Sequence, residues 1–301
     1  MKPSLSLPAP VGAGNPGRER LRAKLDINGW LTKRQSFYLG PEGLHCELYE
    51  CAADAPTLVF IPGIGTYAEL YAEFLGKLSL RGFNVVAIDL PGHGYSGGTR
   101  GLYNVNQVCQ GVSAVISHLE TRFSGPFAVY GYSLGALLGV AAAEQDSRIQ
   151  AVLCGTLLMP EIAPDLFHEM GWQWTHASAF FFPYAKVPLR LFVDFEYLMS
   201  NHPAGEEINK DPLVVLDYPL KTLSSVFSRR CNVRKQRYPF RSAIIHGDRD
   251  EVLPLAYSRR VVEQCEHPFE LLVMERTGHM VPWMRTDALV DVAANWLLNN
   301  L

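Results

Sequence analysis

Five residues, Gly131-Tyr132-Ser133-Leu134-Gly135, constrain this chain more than any other stretch. The apolar run Phe127-Ala128-Val129-Tyr130 leads into them, and a small-residue run over 136–143 follows. An apolar strand that runs into Gly-x-Ser-x-Gly and then into a buried helix predicts a tight turn with the serine at its apex. The serine backbone is strained there, and glycines flank it because a side chain would meet the adjoining strand or helix. A helix starting at Leu134 aims its free N–H groups and the positive end of its dipole at the serine oxygen. Ser133 is therefore the candidate nucleophile.

The surrounding pattern says what such a turn is built into. With 301 residues, 48% of them hydrophobic, the chain can bury a sizeable core. Runs at 57–61, 84–90, 127–130, 149–154, 242–245 and 270–274 are apolar, as strands covered on both faces are. Helical patterns at 68–80, 105–122, 134–144, 255–265 and 288–298 lie between them or close the chain. This alternation predicts an α/β fold, a mostly parallel central sheet with helices on both faces. Upstream, 35–39 and 44–51 alternate like two antiparallel strands joined by the turn Gly40-Pro41-Glu42-Gly43. Residues 1–17, rich in Pro, Gly and Ala, are expected to be disordered, and 18–24 to form a short helix.

Between 161 and 238 the rhythm breaks. No clear parallel strand is present, and aromatic residues crowd the stretch. A structureless insertion of this length is improbable inside a compact sheet. The expected organisation is a disordered segment (1–17), a core in two parts (18–160 and 239–301), and an inserted helical cap (161–238). Most of the aromatics would dock the cap. Trp172, Trp174, Phe180, Phe181 and Phe182 are the candidates to line an apolar substrate pocket beneath it.

Several function classes are disfavoured. A net charge of -3 with scattered Lys and Arg gives no polyanion-binding surface, so no nucleic-acid partner is expected. No apolar run reaches membrane-span length, and prolines interrupt any signal-like N-terminal core. Six cysteines without CxxC or matched histidine spacing fit a reduced, cytoplasmic protein that needs no metal.

Acyl transfer by a serine needs a base, a carboxylate to orient that base, and N–H donors for the oxyanion. Gly247-Asp248-Arg249-Asp250 follows one strand and Thr277-Gly278-His279 the next. Both lie at C-terminal strand ends, the edge where catalytic groups collect in open α/β sheets. His279 is preferred as base over His93, which precedes the serine, and over His246, which is still within its strand. Asp250, deeper in its loop, is preferred as the acid, with Asp248 making structural bonds in the turn. The loop Ile61-Pro62-Gly63-Ile64-Gly65-Thr66 can supply one backbone N–H beside that of Leu134.

With these motifs goes Asp89-Leu90-Pro91-Gly92-His93-Gly94-Tyr95-Ser96, with Tyr71 beyond the Pro62 loop. Together they make residues 36–301 resemble the α/β-hydrolase superfamily, and within it the monoacylglycerol lipase and lysophospholipase-like branch. The resemblance implies Ser133 as nucleophile, Asp250 as acid and His279 as base, with Ile64 and Leu134 donating the oxyanion N–H groups. It implies a cofactor-free serine hydrolase of carboxylic esters with an apolar part, acting on a small-molecule substrate. One departure stands out: the branch usually has His-Gly where this chain has Pro62-Gly63. Proline lacks an N–H and fixes its φ, so the loop is expected to be held differently. Three alternatives share the scaffold. One is an acyltransferase or thioesterase, and another is a non-catalytic ligand-binding protein. The third is an aminopeptidase, which would hold a substrate ammonium on acids such as Asp165, Glu169, Asp194, Glu196, Glu206 or Glu207.

Overall fold

The computed structural model describes residues 15–200 and 202–301. The expected disorder of residues 1–14 lies outside them. Residues 15–17 are ordered into helix α1 (Pro16–Lys24), which starts earlier than expected because Asn15 caps it and Pro16 suits its first position. After the short α2 (Asn28–Leu31) come β1 (Gln35–Leu39), β2 (Leu44–Tyr49) and β3 (Thr57–Ile61). Next are α3 (Ala72–Ser79), β4 (Asn84–Ile88), α4 (Val105–Leu119), β5 (Phe127–Tyr132), α5 (Leu134–Ala143) and β6 (Ile149–Gly155).

The inserted segment follows, with α6 (Leu166–Phe181), β7 (Lys186–Pro188), α7 (Phe195–Leu198), α8 (Pro203–Lys210), β8 (Asp217–Pro219) and α9 (Leu220–Phe227). It is not purely helical as expected, since β7 and β8 pair antiparallel into a small ribbon. The chain ends with β9 (Arg241–Gly247), α10 (Leu255–Gln264), β10 (Glu270–Met274), α11 (Val281–Met284) and α12 (Thr286–Asn300).

Among the described residues eight strands form one sheet in the order β1-β2-β4-β3-β5-β6-β9-β10. Pairing is parallel from β4 to β10 and antiparallel at β1–β2 and β2–β4. Strand alternation divides the core into two layers. Val59, Val86 and Val129 face α4 and α5, whereas Leu58, Val85 and Ala128 face α3 and α12. The expectation of double cover holds for β3, β4 and β5, all of whose residues are buried. It does not hold for β10, an edge strand with one flank unpaired, where Val273 is 43% exposed.

Helix α1 ties the inserted segment to the core. Lys24 pairs with Glu207 of α8 at 2.8 Å. Arg18 reaches Glu69 at 2.6 Å and Asp211 at 3.8 Å, and Arg22 and Arg34 converge on the same Glu69. All six cysteines are free, Cys46 buried and Cys51 exposed. Among the described residues no helix is long and apolar enough to cross a membrane.

Candidate active site

Ser133 stands between β5 and α5 at φ 53° and ψ -120°, a region that costs a non-glycine residue on the order of 1–3 kcal/mol. Close packing on every side holds it there. A Cβ on Gly131 would lie 2.0 Å from the Gly135 carbonyl oxygen, and one on Gly135 would lie 2.2 Å from that of Ile61. Helix α5 is buried all round, and its small residues let it come this near. The Ser133 N–H donates to Gly155 O at 2.6 Å, locking the turn to the end of β6.

The structure brings the expected base and acid to this serine. His279 Nε2 lies 3.1 Å from Ser133 Oγ, and its Nδ1 lies 2.8 Å from Asp250 Oδ2. Asp250 is 8% exposed, and both its oxygens are occupied. Oδ1 accepts the Val252 and Leu253 N–H groups at 2.8 and 2.9 Å, while Oδ2 also accepts from Thr156 Oγ1 at 3.0 Å. Burial alone would raise its pKa. The hydrogen bond and charge of His279, with the Leu253 N–H, outweigh that and hold the carboxyl below its usual range. The His279 backbone is clamped as well, its N–H donating to Glu251 Oε2 at 3.1 Å and its carbonyl accepting from the Tyr132 hydroxyl.

The other candidates lie elsewhere. Asp248 Oδ1 accepts the Thr277 N–H at 3.2 Å, a turn bond. His246 sits behind the acid loop, between Ser258 Oγ and Leu253 O, and burial lowers its pKa. His93 is buried against Tyr218. Asp89 organises its own loop, accepting the Ala68 and Tyr95 N–H groups at 2.7 and 2.9 Å and facing His45.

The Pro62 loop passes close beside the serine, where a Cβ on Gly63 would be 3.4 Å from that of Ser133. Thr66 Oγ1 donates to Gly63 O at 2.9 Å, and Tyr71 Oη accepts the Gly63 N–H at 3.3 Å. Leu134 is the first residue of α5, so its N–H has no intrahelical acceptor. The helix thus offers a free donor beside the serine, and Ile64 of the Pro62 loop lines the same cavity as Ser133.

A cavity of about 60 Å³ opens on Ser133 and His279. Ile64, Tyr71, Tyr132, Met280 and Trp283 line it from the core, and Val193, Phe195 and Leu198 line it from the inserted segment. Trp283 is a fixed wall, its ring 4.7 Å from that of Tyr71 and its Nε1 donating to Leu70 O at 2.7 Å.

The five aromatics expected there are not brought to it. Trp172 stacks on Phe227 at 5.3 Å and borders a separate cavity of about 450 Å³ with Glu161, His176 and Arg229. Trp174, Phe180, Phe181 and Phe182 are exposed, Phe180 by 83%. They sit on α6 and just beyond it, whereas the chain around α7 is what covers the serine. Sequence reasoning missed Val193, Phe195, Leu198 and Trp283, and also Thr156, the support of the acid. An apolar residue inside an aromatic-rich insertion carries no signal of which way it points.

An open, mostly parallel sheet flanked by helices, with a serine, a carboxylate and a histidine at its C-terminal strand ends in that chain order, defines an α/β hydrolase. The chain belongs to the family described as serine aminopeptidase, S33, whose model matches residues 53–282. Among solved structures it is similar to a monoacylglycerol lipase from Paleococcus ferrophilus, at 22% identity over 86% of this chain and 99% of that one (TM-score 0.69). It is similar to a soluble variant of monoglyceride lipase from Saccharomyces cerevisiae, at 16% identity over 87% and 94% (TM-score 0.71). A thermophilic esterase from Thermogutta terrifontis shares 16% over 88% and 98% (TM-score 0.61). No curated protein matches the chain.

Proposed function

We propose that this protein is a serine carboxylic-ester hydrolase working through an acyl-enzyme, with the inserted segment as its cap. The proposal rests on one juxtaposition: the hydrogen-bonded row Ser133–His279–Asp250 opens onto an apolar cavity with no carboxylate lining it among the described residues. An aminopeptidase needs an acid beside the scissile bond to hold the substrate ammonium. Four of the six acids named above are engaged elsewhere, Asp165 and Asp194 as helix caps, Glu206 with Lys210 and Glu207 with Lys24, and neither Glu169 nor Glu196 is among the residues that line the cavity. The similarity in fold to lipases and an esterase points the same way.

In this mechanism Ser133 Oγ attacks the ester carbonyl while His279 Nε2 takes its proton. Asp250 keeps the other ring proton on Nδ1 and stabilises the imidazolium. The Ile64 and Leu134 N–H groups receive the oxyanion, each worth about 3–4 kcal/mol at the transition state. The alcohol leaves with the proton from His279, and water then attacks the acyl-enzyme by the same path in reverse. The small cavity fits a short acyl group, held by residues other than the expected Trp172, Trp174 and Phe180 to Phe182. Hydrolysis of p-nitrophenyl acetate, together with one fluorophosphonate adduct that maps to Ser133, is the expected result. Normal turnover by a folded Ser133→Ala variant, or preferential cleavage of aminoacyl anilides, would refute the proposal.

A further inference from the structure

The loop that offers the Ile64 N–H is gripped from the inserted segment, at the residue that follows. Gly65 has φ +74°, and both its backbone polar groups are bound by the strand-and-turn region that ends in β8. Its carbonyl accepts the Val215 N–H at 2.9 Å, and its N–H donates to Tyr218 Oη at 2.9 Å. A Cβ on Gly65 would lie 2.5 Å from Val215 O, so the two segments are in direct backbone contact. Tyr218 is fully buried and in turn meets His93 Nε2.

The direction of these bonds follows from the ring. His93 Nδ1 lies 3.0 Å from Pro91 O and must donate there, so Nε2 is the acceptor and the Tyr218 O–H the donor. Burial pushes the His93 pKa down to about 4, which keeps the ring neutral for this role. The Tyr218 oxygen is left to accept from Gly65. The Gly65 N–H belongs to the Ile64–Gly65 peptide, and only φ and ψ of Ile64 separate that held peptide from the N–H that would face the oxyanion. Proline at position 62 cannot anchor the loop through an N–H of its own, and the bonds from Val215 and Tyr218 add anchorage from outside to the Thr66–Gly63 bond within the loop.

We propose that Tyr218, oriented by His93, is a positioning residue through which the inserted segment sets the oxyanion loop for catalysis. This rests on the esterase reading above. In Tyr218→Phe the ring still fills its site but the Gly65 N–H loses its acceptor, and the loop can turn away from the serine. A small displacement of an oxyanion donor is costly in rate.

The test is esterase kinetics normalised to active sites titrated with a fluorophosphonate, with the wild type, Tyr218→Phe, His93→Leu and the double variant. Expected are a fall in kcat per titrated site of about 10- to 100-fold, KM within about twofold, and weaker binding of a boronic acid, a tetrahedral mimic, by the same factor as kcat. The double variant should be no worse than the poorer single, since both cut one relay. A purely structural role would lower the titratable fraction and leave kcat per site unchanged, and that result overturns the inference. If Tyr218→Phe does not fold, His93→Leu alone decides by the same readout. A wild type whose Ser133 is not labelled overturns the esterase reading and this inference with it. A labelled wild type with unaffected variants overturns the inference alone.

Discussion

Replacing Asp250 by Asn tests the acid through its four hydrogen bonds. Oδ1 accepts two backbone N–H groups, from Val252 and Leu253, and Oδ2 accepts from Thr156 and His279. An asparagine can satisfy only one of these two sides as an acceptor. Turned with its amide NH2 toward Val252 and Leu253, it would set donor against two fixed donors. The favoured orientation therefore keeps the carbonyl on the loop and points NH2 at His279 Nδ1. The Thr156 hydroxyl can rotate to accept, but the imidazole can respond only by moving its proton to Nε2, the nitrogen facing Ser133. The base is then occupied by its own proton, and the charge that stabilises the imidazolium is gone. A loss of about 10⁴ in kcat is expected, which is about 5 kcal/mol of transition-state stabilisation. The loop keeps both backbone bonds, so the circular dichroism spectrum should match the wild type. A fall of less than tenfold with p-nitrophenyl acetate, in a folded protein, would mean that Asp250 does not control the tautomer. Asp248→Asn keeps an acceptor for the Thr277 N–H and serves as the control.

Leu198→Ala should enlarge the cavity beside Ser133 and move the optimum in an acetate-to-palmitate series toward longer chains. Each further methylene buried is worth about 0.8 kcal/mol, or about fourfold in kcat/KM. Trp174→Ala and Phe181→Ala, outside that cavity, should leave the profile as it is, and a shift in either would return the acyl chain to the outer aromatics. Glu69→Gln leaves the buried Arg18 and the half-buried Arg22 and Arg34 without their shared carboxylate and should cost about 3–5 kcal/mol in urea denaturation. The same carboxyl predicts an acid limb. Burial would raise the Glu69 pKa, but the Arg22 hydrogen bond and the charges of Arg34 and Arg18 outweigh it and lower it below the usual range. The stability it contributes is present above the unfolded value of about 4.3 and is lost as pH falls through the lower folded value. Melting temperatures followed from neutral to acid pH should show this loss in the wild type and a shallower limb in Glu69→Gln.

Strands, helices and the row of reacting groups were legible in the order of residues because local rules govern them. Apolar runs of strand length, glycines where Ser133 turns, and polar residues just past two strand ends each carry their signal within a few positions. The inserted segment obeys no such rule. Its aromatics are plentiful on every side, and which of them turn inward depends on how the short helices and the β7–β8 ribbon settle on the core. Phe195 is buried at the cavity while Phe180 to Phe182 face outward, although all four read alike in one dimension. The link from Gly65 to Tyr218 spans 153 positions, and that from Tyr218 to His93 spans 125. The sequence by itself determined the sheet, the elbow and the candidate triad, whose signals are periodic or contiguous. Only the tertiary structure decided the cavity wall and the grip on the oxyanion loop, because both are contacts between segments whose local patterns do not refer to each other.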